Sequence, residues 1–312
     1  MLNNYMLRRS AEMKSCNCLS KRLLSLGARK NVPARNYTSF RIGGPMAYFA
    51  EPANIDELIA LLNAAKEAEY PVYVIGNGSN LLVSDEGAKA LFIKIGPKMS
   101  NYSVEGTTVR ADGGALLCTV AKASVAAGLS GLEWASGIPG TVGGGVAMNA
   151  GAYQGEIKQV IRRVGIIEDG IYSEREVADD DLGYRRSAFA WPKNIVVSAE
   201  FELRPDDGTA VELVEKYTLL RRQKQPIEMP SAGSTFKRPV VEGLYAGALI
   251  EQCDLKGTRI GGAMVSPKHA GFIVNCGGAT FADVTALIQY VTDTVKTETG
   301  VLLEPEVKII YR

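Results

Sequence analysis

The feature that most constrains the fold is a concentration of glycine in one short segment. Residues 131–155 contain eight of the 33 glycines in the 312-residue chain, about three times the average density. A second glycine-rich loop, Gly76–Leu82, directly follows an apolar strand candidate, Val72–Ile75. Backbone without Cβ atoms can approach a phosphate closely and form an anion-binding concavity. Tight turns have the same composition, so the glycine content alone leaves both interpretations open.

Neither loop matches a standard nucleotide-binding motif. The spacing G-x-G-x-x-G is absent from both loops, and the chain has no G-x-x-x-x-G-K-[ST] segment. An ordinary Rossmann or P-loop site is therefore excluded. The sharper hypothesis is a diphosphate held by two loops that come from two subdomains.

Charge and residue counts exclude several classes of protein. The chain has 35 basic and 34 acidic residues, so a dedicated nucleic-acid binder is not expected. Its longest uncharged stretch, 134–155, is interrupted by glycine and proline, and we expect no membrane span. The single histidine, His269, excludes a multi-histidine metal site, and no metal is expected. Five cysteines without paired spacing indicate reduced thiols and a cytoplasmic location.

Hydrophobic periodicity predicts an α+β chain of about two domains. Apolar residues at helical spacing predict helices over 54–69, 115–127, 210–224 and 282–299. Short apolar runs predict strands at 46–50, 72–75, 91–95, 163–167, 195–203 and 307–311, with strand and turn over 102–111. The polar turn 204–208 is the favoured domain boundary, and an irregular glycine-rich stretch is expected between the last two helices.

Three further segments carry groups that could bind an anion or transfer a proton. Gly183–Ser187 places two arginines beside tyrosine and serine, which suits a carboxylate or phosphate. Ser231–Pro239 combines hydroxyl groups, backbone donors and two cations, and Leu303–Val307 carries two glutamates at the start of the last strand. Exposed surface turns have similar compositions, so these segments by themselves do not decide between a site and a solvated surface.

Taken in order, the motifs resemble the UDP-N-acetylenolpyruvoylglucosamine reductase family. The resemblance begins at Asn31, continues to Arg312, and rests on six segments. They are Thr38–Pro45, the loop Gly-Asn-Gly-Ser-Asn-Leu-Leu, the run Gly-Ile-Pro-Gly-Thr-Val-Gly-Gly with Met-Asn-Ala-Gly-Ala-Tyr, Gly-Tyr-Arg-Arg-Ser, Ala-Gly-Ser-Thr-Phe-Lys-Arg-Pro and Leu-Glu-Pro-Glu-Val. The spelling of the last motifs resembles the shorter subtype, which lacks a substrate-covering insertion.

The resemblance implies a fold and a reaction. The fold is an FAD-binding domain of the vanillyl-alcohol-oxidase (PCMH) type in two subdomains, 31–97 and 98–205, then a substrate-binding domain, 206–312, with residues 1–30 as an N-terminal extension. FAD is held non-covalently and is reduced by NADPH. Hydride then passes to C3 of the enolpyruvyl group of a UDP-sugar and a proton to C2, which forms UDP-N-acetylmuramate for peptidoglycan synthesis in the cell wall. We expect a monomer.

The resemblance also implies residue roles. Ser234 matches the proton donor, Arg185 the arginine of the Tyr-Arg-x-Ser motif and Glu306 the family glutamate. Lys237, Arg238 and Lys268 are expected to contact the phosphates of UDP or NADPH. The residues expected to bind FAD are Asn77, Gly78, Ser79, Asn80, Leu81, Gly137, Ile138, Gly140, Thr141, Gly143, Gly144, Asn149, Gly151 and Ala152.

Two other functions remain open from the sequence. One is an FAD-dependent sugar or alcohol oxidase on the same fold, which would use oxygen rather than NADPH. The other is a nucleotide-binding module without catalysis, which would bind nucleotide but no reducible flavin.

Overall fold

The computed structural model describes residues 18–239, 241 and 243–311. The chain forms two compact units, each assembled from separate segments. Of the described residues, unit 1 comprises 18–32, 46–76 and 89–210, and unit 2 comprises 33–45, 77–88 and those between 211 and 311. Each unit therefore contains segments that are distant in sequence.

The helices are α1 at 18–25, α2 (Ile55–Glu67), α3 (Leu117–Ala126), α4 (Val142–Ala147), α5 (Ala210–Lys224), α6 (Ala246–Gln252) and α7 (Phe281–Thr299). The first ten strands are β1 (Arg29–Pro33), β2 (Pro45–Ala50), β3 (Val72–Ile75), β4 (Leu81–Val83), β5 (Ala88–Lys94), β6 (Tyr102–Glu105), β7 (Thr108–Asp112), β8 (Leu129–Ser130), β9 (Gly151–Ala152) and β10 (Gly155–Glu156). The remaining strands are β11 (Ile161–Glu168), β12 (Ile171–Glu176), β13 (Leu182–Gly183), β14 (Arg186–Ser187), β15 (Asn194–Glu202), β16 (Arg204–Pro205), β17 (Arg259–Ile260), β18 (Ala263–Val265), β19 (Ile273–Asn275) and β20 (Lys308–Ile310).

The first sheet of unit 1 has the order β1-β2-β5-β3. The predicted β-α-β unit is present, with β5 lying between β2 and β3. Asn54 caps α2 by accepting a hydrogen bond from the Glu57 N–H at 2.9 Å. Residues of α2 form a hydrophobic core with Leu19 and Leu23 of α1. The described part of the N-terminal segment is thus packed within unit 1.

The second sheet of unit 1 is antiparallel, with the order β12-β11-β15-β7-β6. The sequence predicted β11 and β15 but missed β12. Every residue of β12 is exposed, so this edge strand lacks the buried, alternating pattern by which strands are recognised. Its pairing with β11 is formed by the tertiary structure rather than by local preference.

The glycine-rich run 137–152 is not a continuous loop, contrary to the expectation from its composition. It contains α4, which starts at Thr141, and β9, which pairs with β10. Glycine disfavours an isolated helix by about 1 kcal/mol per residue. The buried positions Val142, Gly143 and Val146 show that packing stabilises this helix against the low propensity of its residues.

Unit 2 packs α7 against the antiparallel sheet β17-β18-β19, and α6 packs against α7. The predicted apolar face of α7 is confirmed, since Val284, Ile288, Val291 and Val295 are buried in the unit 2 core. Gly300 ends this helix at φ 74°, as predicted. Strand β20 pairs in parallel with β4, so the end of the chain joins the segment that follows the first glycine loop. Helix α6 was not predicted, because seven residues are too few for a clear periodicity.

Candidate functional site

Unit 1 contains a cleft of about 400 Å³, including the space open to solvent. Its walls combine glycine backbone with apolar and aromatic side chains. The lining includes Gly76, Gly113, Thr141, Gly143, Gly144, Phe189 and Trp191. Such a lining lets a ligand approach the glycine backbone closely on one side and contact flat apolar side chains on the other.

Three glycines in this cleft have two different roles: two allow neighbouring segments to pack closely, and one leaves space in the cleft. A Cβ on Gly76 would lie 2.3 Å from the Thr141 hydroxyl, and one on Gly143 would lie 2.9 Å from the Val196 carbonyl oxygen. These two glycines therefore permit the segments to pack. At Gly144 the nearest atom to a Cβ is the Thr141 Oγ1 at 3.4 Å, and the residue is exposed. Its missing side chain leaves the cleft open instead.

Helix α4 ends in a Schellman motif at Asn149. The Asn149 N–H donates to the Val146 carbonyl oxygen at 3.2 Å, and the Ala150 N–H donates to that of Gly145 at 2.8 Å. Asn149 has φ 43°, in the left-handed region that glycine usually occupies at this position. Its side chain is almost fully buried, so the asparagine is a packed residue rather than a surface cap.

Arg185 lies in the two-residue turn between β13 and β14 and also has a left-handed backbone, at φ 50°. Its Nη1 donates to the carbonyl oxygen of Asn149 at 3.4 Å, and its guanidinium lies over the ring of Tyr184. Arg186, by contrast, is exposed and donates to the carbonyl oxygen of Asp180. The structure thus distinguishes two adjacent arginines whose side chains are chemically identical.

Unit 2 brings the segments of Ser234 and Glu306 together. Phe236 and Pro305 form an antiparallel bridge, and the Glu306 N–H donates to the carbonyl oxygen of Thr235 at 2.7 Å. Ser234 is exposed, whereas Thr235 and Phe236 are buried. An exposed hydroxyl therefore precedes two buried residues whose backbone is bonded to the segment of the half-buried Glu306.

The loop Asn77–Leu81 lies in the same unit and contacts this pair. The Asn80 Nδ2 donates to the carbonyl oxygen of Glu306 at 3.2 Å. Gly78 has φ 63°, and a Cβ there would lie 1.9 Å from the Tyr37 carbonyl oxygen, so no side chain fits at this turn. The loop predicted to bind FAD and the predicted catalytic glutamate are thus neighbours.

The three cations predicted to contact phosphates all have partners in unit 2. Lys237 forms an ion pair with Glu304 at 2.9 Å, and Lys268 forms one with Glu228 at 3.3 Å. The Arg238 guanidinium lies 4.2 Å from the ring centroid of Tyr245. All three cationic side chains lie on the surface. Ion pairs there are weak, so a cation can exchange its protein partner for another anion.

Comparisons with known proteins now bear on this geometry. Residues 225–310 match the family model "UDP-N-acetylenolpyruvoylglucosamine reductase, C-terminal domain", and residues 46–169 match "FAD binding domain". The UDP-N-acetylenolpyruvoylglucosamine reductase of Alkaliphilus oremlandii is 45% identical over 280 residues, covering 89% of this chain and 91% of that protein. The chain belongs to the UDP-N-acetylenolpyruvoylglucosamine reductase family.

Other relatives agree with this membership. The reductase of Lactococcus lactis is 45% identical over 282 residues, covering 90% of this chain and 93% of that protein. The crystal structure of UDP-N-acetylenolpyruvylglucosamine reductase from Thermus caldophilus has a TM-score of 0.78 at 34% identity, covering 91% of this chain and 99% of that one. The expected fold class, an FAD-binding domain of the vanillyl-alcohol-oxidase (PCMH) type followed by an α+β domain, is confirmed.

The residues present fit the cofactor that the family implies. The match of residues 46–169 to the FAD-binding domain model confirms the prediction that the cofactor is FAD. The cleft in unit 1 provides glycine backbone around Thr141 and Gly144 for a diphosphate, and the partly exposed Trp191 as apolar surface for a ring system. Within the described ranges, no helix is long and apolar enough to cross a membrane.

Sequence reasoning missed two residues that organise the site. Thr235 occupies the variable position of the Gly-Ser-x-Phe motif, and its role depends on contacts with distant segments. The side-chain role of Asn149 was also missed, although an asparagine where glycine normally ends a helix was a usable signal. Both residues act through hydrogen bonds that sequence spacing does not reveal.

Proposed function

We propose that the protein is an FAD-dependent oxidoreductase that reduces the enolpyruvyl group of a UDP-N-acetylglucosamine enolpyruvyl ether with NADPH, which forms UDP-N-acetylmuramate. The observation that carries this proposal is the pairing in unit 2, where the Ser234 segment is bonded to Glu306 beside the Asn77–Leu81 loop. A simple oxidase on the same fold would not need a proton donor and a carboxylate in a separate substrate-binding unit.

The glycine backbone around Thr141 and Gly144 would hold FAD, which would supply the hydride chemistry between NADPH and C3 of the substrate. The protein must then stabilise the negative charge that develops on C2 and the carboxylate, and deliver a proton to C2. Arg185 is assigned to the first task, because a fixed guanidinium stabilises developing anionic charge. Its left-handed backbone and its bond to Asn149 restrict where the guanidinium can point.

Ser234 is assigned as the proton donor. A serine hydroxyl is a very weak acid, so it can only deliver a proton when its neighbours hold it in a productive geometry. The adjacent Thr235 and Phe236 are buried and bonded through their backbone to the segments of Gly271 and Glu304–Glu306, which restrains the position of Ser234. Glu306, whose backbone N–H donates to the Thr235 carbonyl oxygen, is assigned to donate a hydrogen bond from its protonated carboxyl group to the enolic oxygen as charge develops there.

The remaining expectations are part of the same proposal. Lys237, Arg238 and Lys268 exchange their surface partners for phosphates of UDP or NADPH. The predicted flavin-binding residues of both glycine loops contact FAD, with 31–97 and 98–205 as the two flavin subdomains. We further propose a monomer located in the cytoplasm.

The decisive experiment separates the two half-reactions by anaerobic stopped-flow absorbance. NADPH should bleach the flavin band, and the enolpyruvyl UDP-sugar should restore it. Ser234→Ala should leave the bleaching within about 3-fold and slow the restoration by about 100-fold or more. Equal losses in both half-reactions would contradict the assignment of Ser234. Bleaching of the flavin by a simple sugar without NADPH, followed by rapid restoration by oxygen, would favour the oxidase instead.

A further inference from the structure

The side chain of Asn149 uses its hydrogen-bonding groups within the protein. Its Nδ2 donates to the Glu156 Oε2 and to the Gly183 carbonyl oxygen, both at 3.0 Å. Its Oδ1 accepts from the Lys158 N–H at 2.9 Å. An amide has two N–H donors, and both are engaged. This side chain therefore joins the segment after α4 to the turn that carries Arg185.

The backbone of Asn149 completes the connection. Its carbonyl oxygen accepts from the Arg185 Nη1 at 3.4 Å, and its side chain holds Gly183, two residues before Arg185. One residue thus bonds to both the base of the hairpin and the guanidinium at its tip. The Schellman motif at the end of α4 fixes the position of Asn149. The bonds from Asn149 therefore fix the position of Arg185 relative to that helix.

The choice of residue is itself informative. Glycine adopts a left-handed conformation at little cost, whereas a non-glycine residue is strained there. Asn149 and Arg185 are both left-handed, so the chain accepts strain at both ends of this connection. Helix α2 ends in the same motif at Glu69, with φ 50°, but the Glu69 side chain is exposed. The motif alone does not require a buried amide.

We propose that Asn149 is a positioning residue that holds the β13–β14 turn so that the Arg185 guanidinium meets the substrate carboxylate. The proposal rests on the role given to Arg185 in the proposed function. Glu156 supports Asn149 from the other side by accepting its second N–H.

The test compares Asn149→Gly with Glu69→Gly. Both substitutions replace the left-handed residue of a Schellman motif in unit 1 with glycine, so both preserve the helix end. Asn149→Gly should slow flavin re-oxidation by the enolpyruvyl substrate by about 10-fold or more, since misplacement of about 1 Å costs up to about 100-fold. Flavin reduction by NADPH, measured on variants saturated with FAD, should stay within about 3-fold, and Glu69→Gly should change neither rate.

A double-mutant cycle with Arg185→Ala distinguishes positioning from general damage. If Asn149 acts through Arg185, the double variant should re-oxidise no more slowly than Arg185→Ala alone. Independent, multiplicative losses would overturn the proposal. A normal Arg185→Ala variant would instead refute the role of Arg185 in the proposed function, whereas a defective Arg185→Ala with a normal Asn149→Gly would refute positioning only.

A second variant guards against loss of the fold. Asn149→Asp has the same size and keeps the oxygen that accepts from Lys158, but it loses both N–H donors. Both substitutions at Asn149 remove buried hydrogen bonds, and Asn149→Asp also sets a carboxylate beside Glu156, so we expect lower melting temperatures and compare the rates well below them. Selective loss of re-oxidation in Asn149→Asp supports the proposal, and unchanged re-oxidation in a folded Asn149→Asp overturns it.

Discussion

Thr235 is bonded to Glu306 through its backbone and to Ile273 through its side chain. The Glu306 N–H donates to its carbonyl oxygen at 2.7 Å, and the Ile273 N–H donates to its hydroxyl at 3.0 Å. Its own N–H donates to the Gly271 carbonyl oxygen at 2.8 Å. One buried residue, adjacent to Ser234, thus joins three segments of unit 2.

Thr235→Val should therefore damage the site more than Thr235→Ser. Valine has the shape of threonine but leaves the buried Ile273 N–H without its acceptor, which costs about 1–3 kcal/mol. Serine keeps the acceptor and loses only a methyl group. We expect a lower melting temperature and slower flavin re-oxidation for Thr235→Val than for Thr235→Ser, measured by thermal unfolding and stopped flow. Equal behaviour of the two variants would mean that the hydroxyl does not organise the segment around Ser234.

Glu304 and Glu306 should respond differently to the same substitution. Glu304 forms a surface ion pair with Lys237, and such pairs contribute about 0–1 kcal/mol. Glu304→Gln should therefore keep both half-reactions near the parent rates. Glu306→Gln should leave flavin reduction intact and slow re-oxidation by the enolpyruvyl substrate by about 10-fold or more. Normal turnover of Glu306→Gln, measured from the same traces, would remove this residue from the reaction.

Gly143 and Gly144 form another matched pair. An alanine at Gly143 would press against two backbone carbonyl oxygens, at 2.9 and 3.0 Å, and should lower the free energy of unfolding by about 1–3 kcal/mol. At Gly144 the added methyl group meets only ordinary contacts, and alanine favours the helix by about 1 kcal/mol. Gly144→Ala should thus leave the FAD-free protein at least as stable as the parent but weaken FAD binding in titrations. Unchanged FAD affinity would place the cofactor away from this wall.

Stability should depend on pH through His269. Burial lowers the pKa of His269 below its ordinary value, with Lys256 adding to this effect and Glu251 opposing it. Its Nδ1 accepts the Gly271 N–H at 3.1 Å, which requires the unprotonated nitrogen. The unfolded chain therefore binds the proton more readily, and the free energy of unfolding should fall as the pH drops through about 6.5.

Urea unfolding between about pH 5 and pH 7.5 measures this dependence. His269→Gln cannot titrate, so its free energy of unfolding should decline less over this range than that of the parent. Other acidic groups contribute equally to both proteins and cancel in the comparison. Identical pH slopes would show that protonation of His269 is not linked to folding.

Sequence patterns predicted the long elements well because those elements bury one regular face. Helix α7 has its four predicted apolar residues in the core, and Asn54 caps α2 as its position suggested. The exposed edge strand β12 and the short helices α4 and α6 were missed. In these elements pairing and packing override weak local preferences, so the residues themselves carry little signal.

The candidate site shows the same division. The identities of Ser234, Arg185 and Glu306 came from ordered motifs, and the comparisons confirm the family to which those motifs belong. Without the family resemblance, residue chemistry alone does not separate Arg185 from Arg186 or Glu304 from Glu306, because each pair has the same side chain. Burial and hydrogen bonding distinguish them, and both properties depend on segments far away in the chain.

By itself, the sequence determined the chemical inventory: glycine loops without a standard nucleotide motif, a single histidine, and ordered motifs that identify a flavin-dependent reductase family. Only the tertiary structure decided how those groups are held. Thr235 meets Glu306 across 71 positions of sequence, and Asn149 meets the Arg185 turn across more than 30. Local patterns encode which groups are present and which face of an element is buried. Distances between remote groups arise only when the chain packs, because packing alone brings distant donors and acceptors within hydrogen-bonding range.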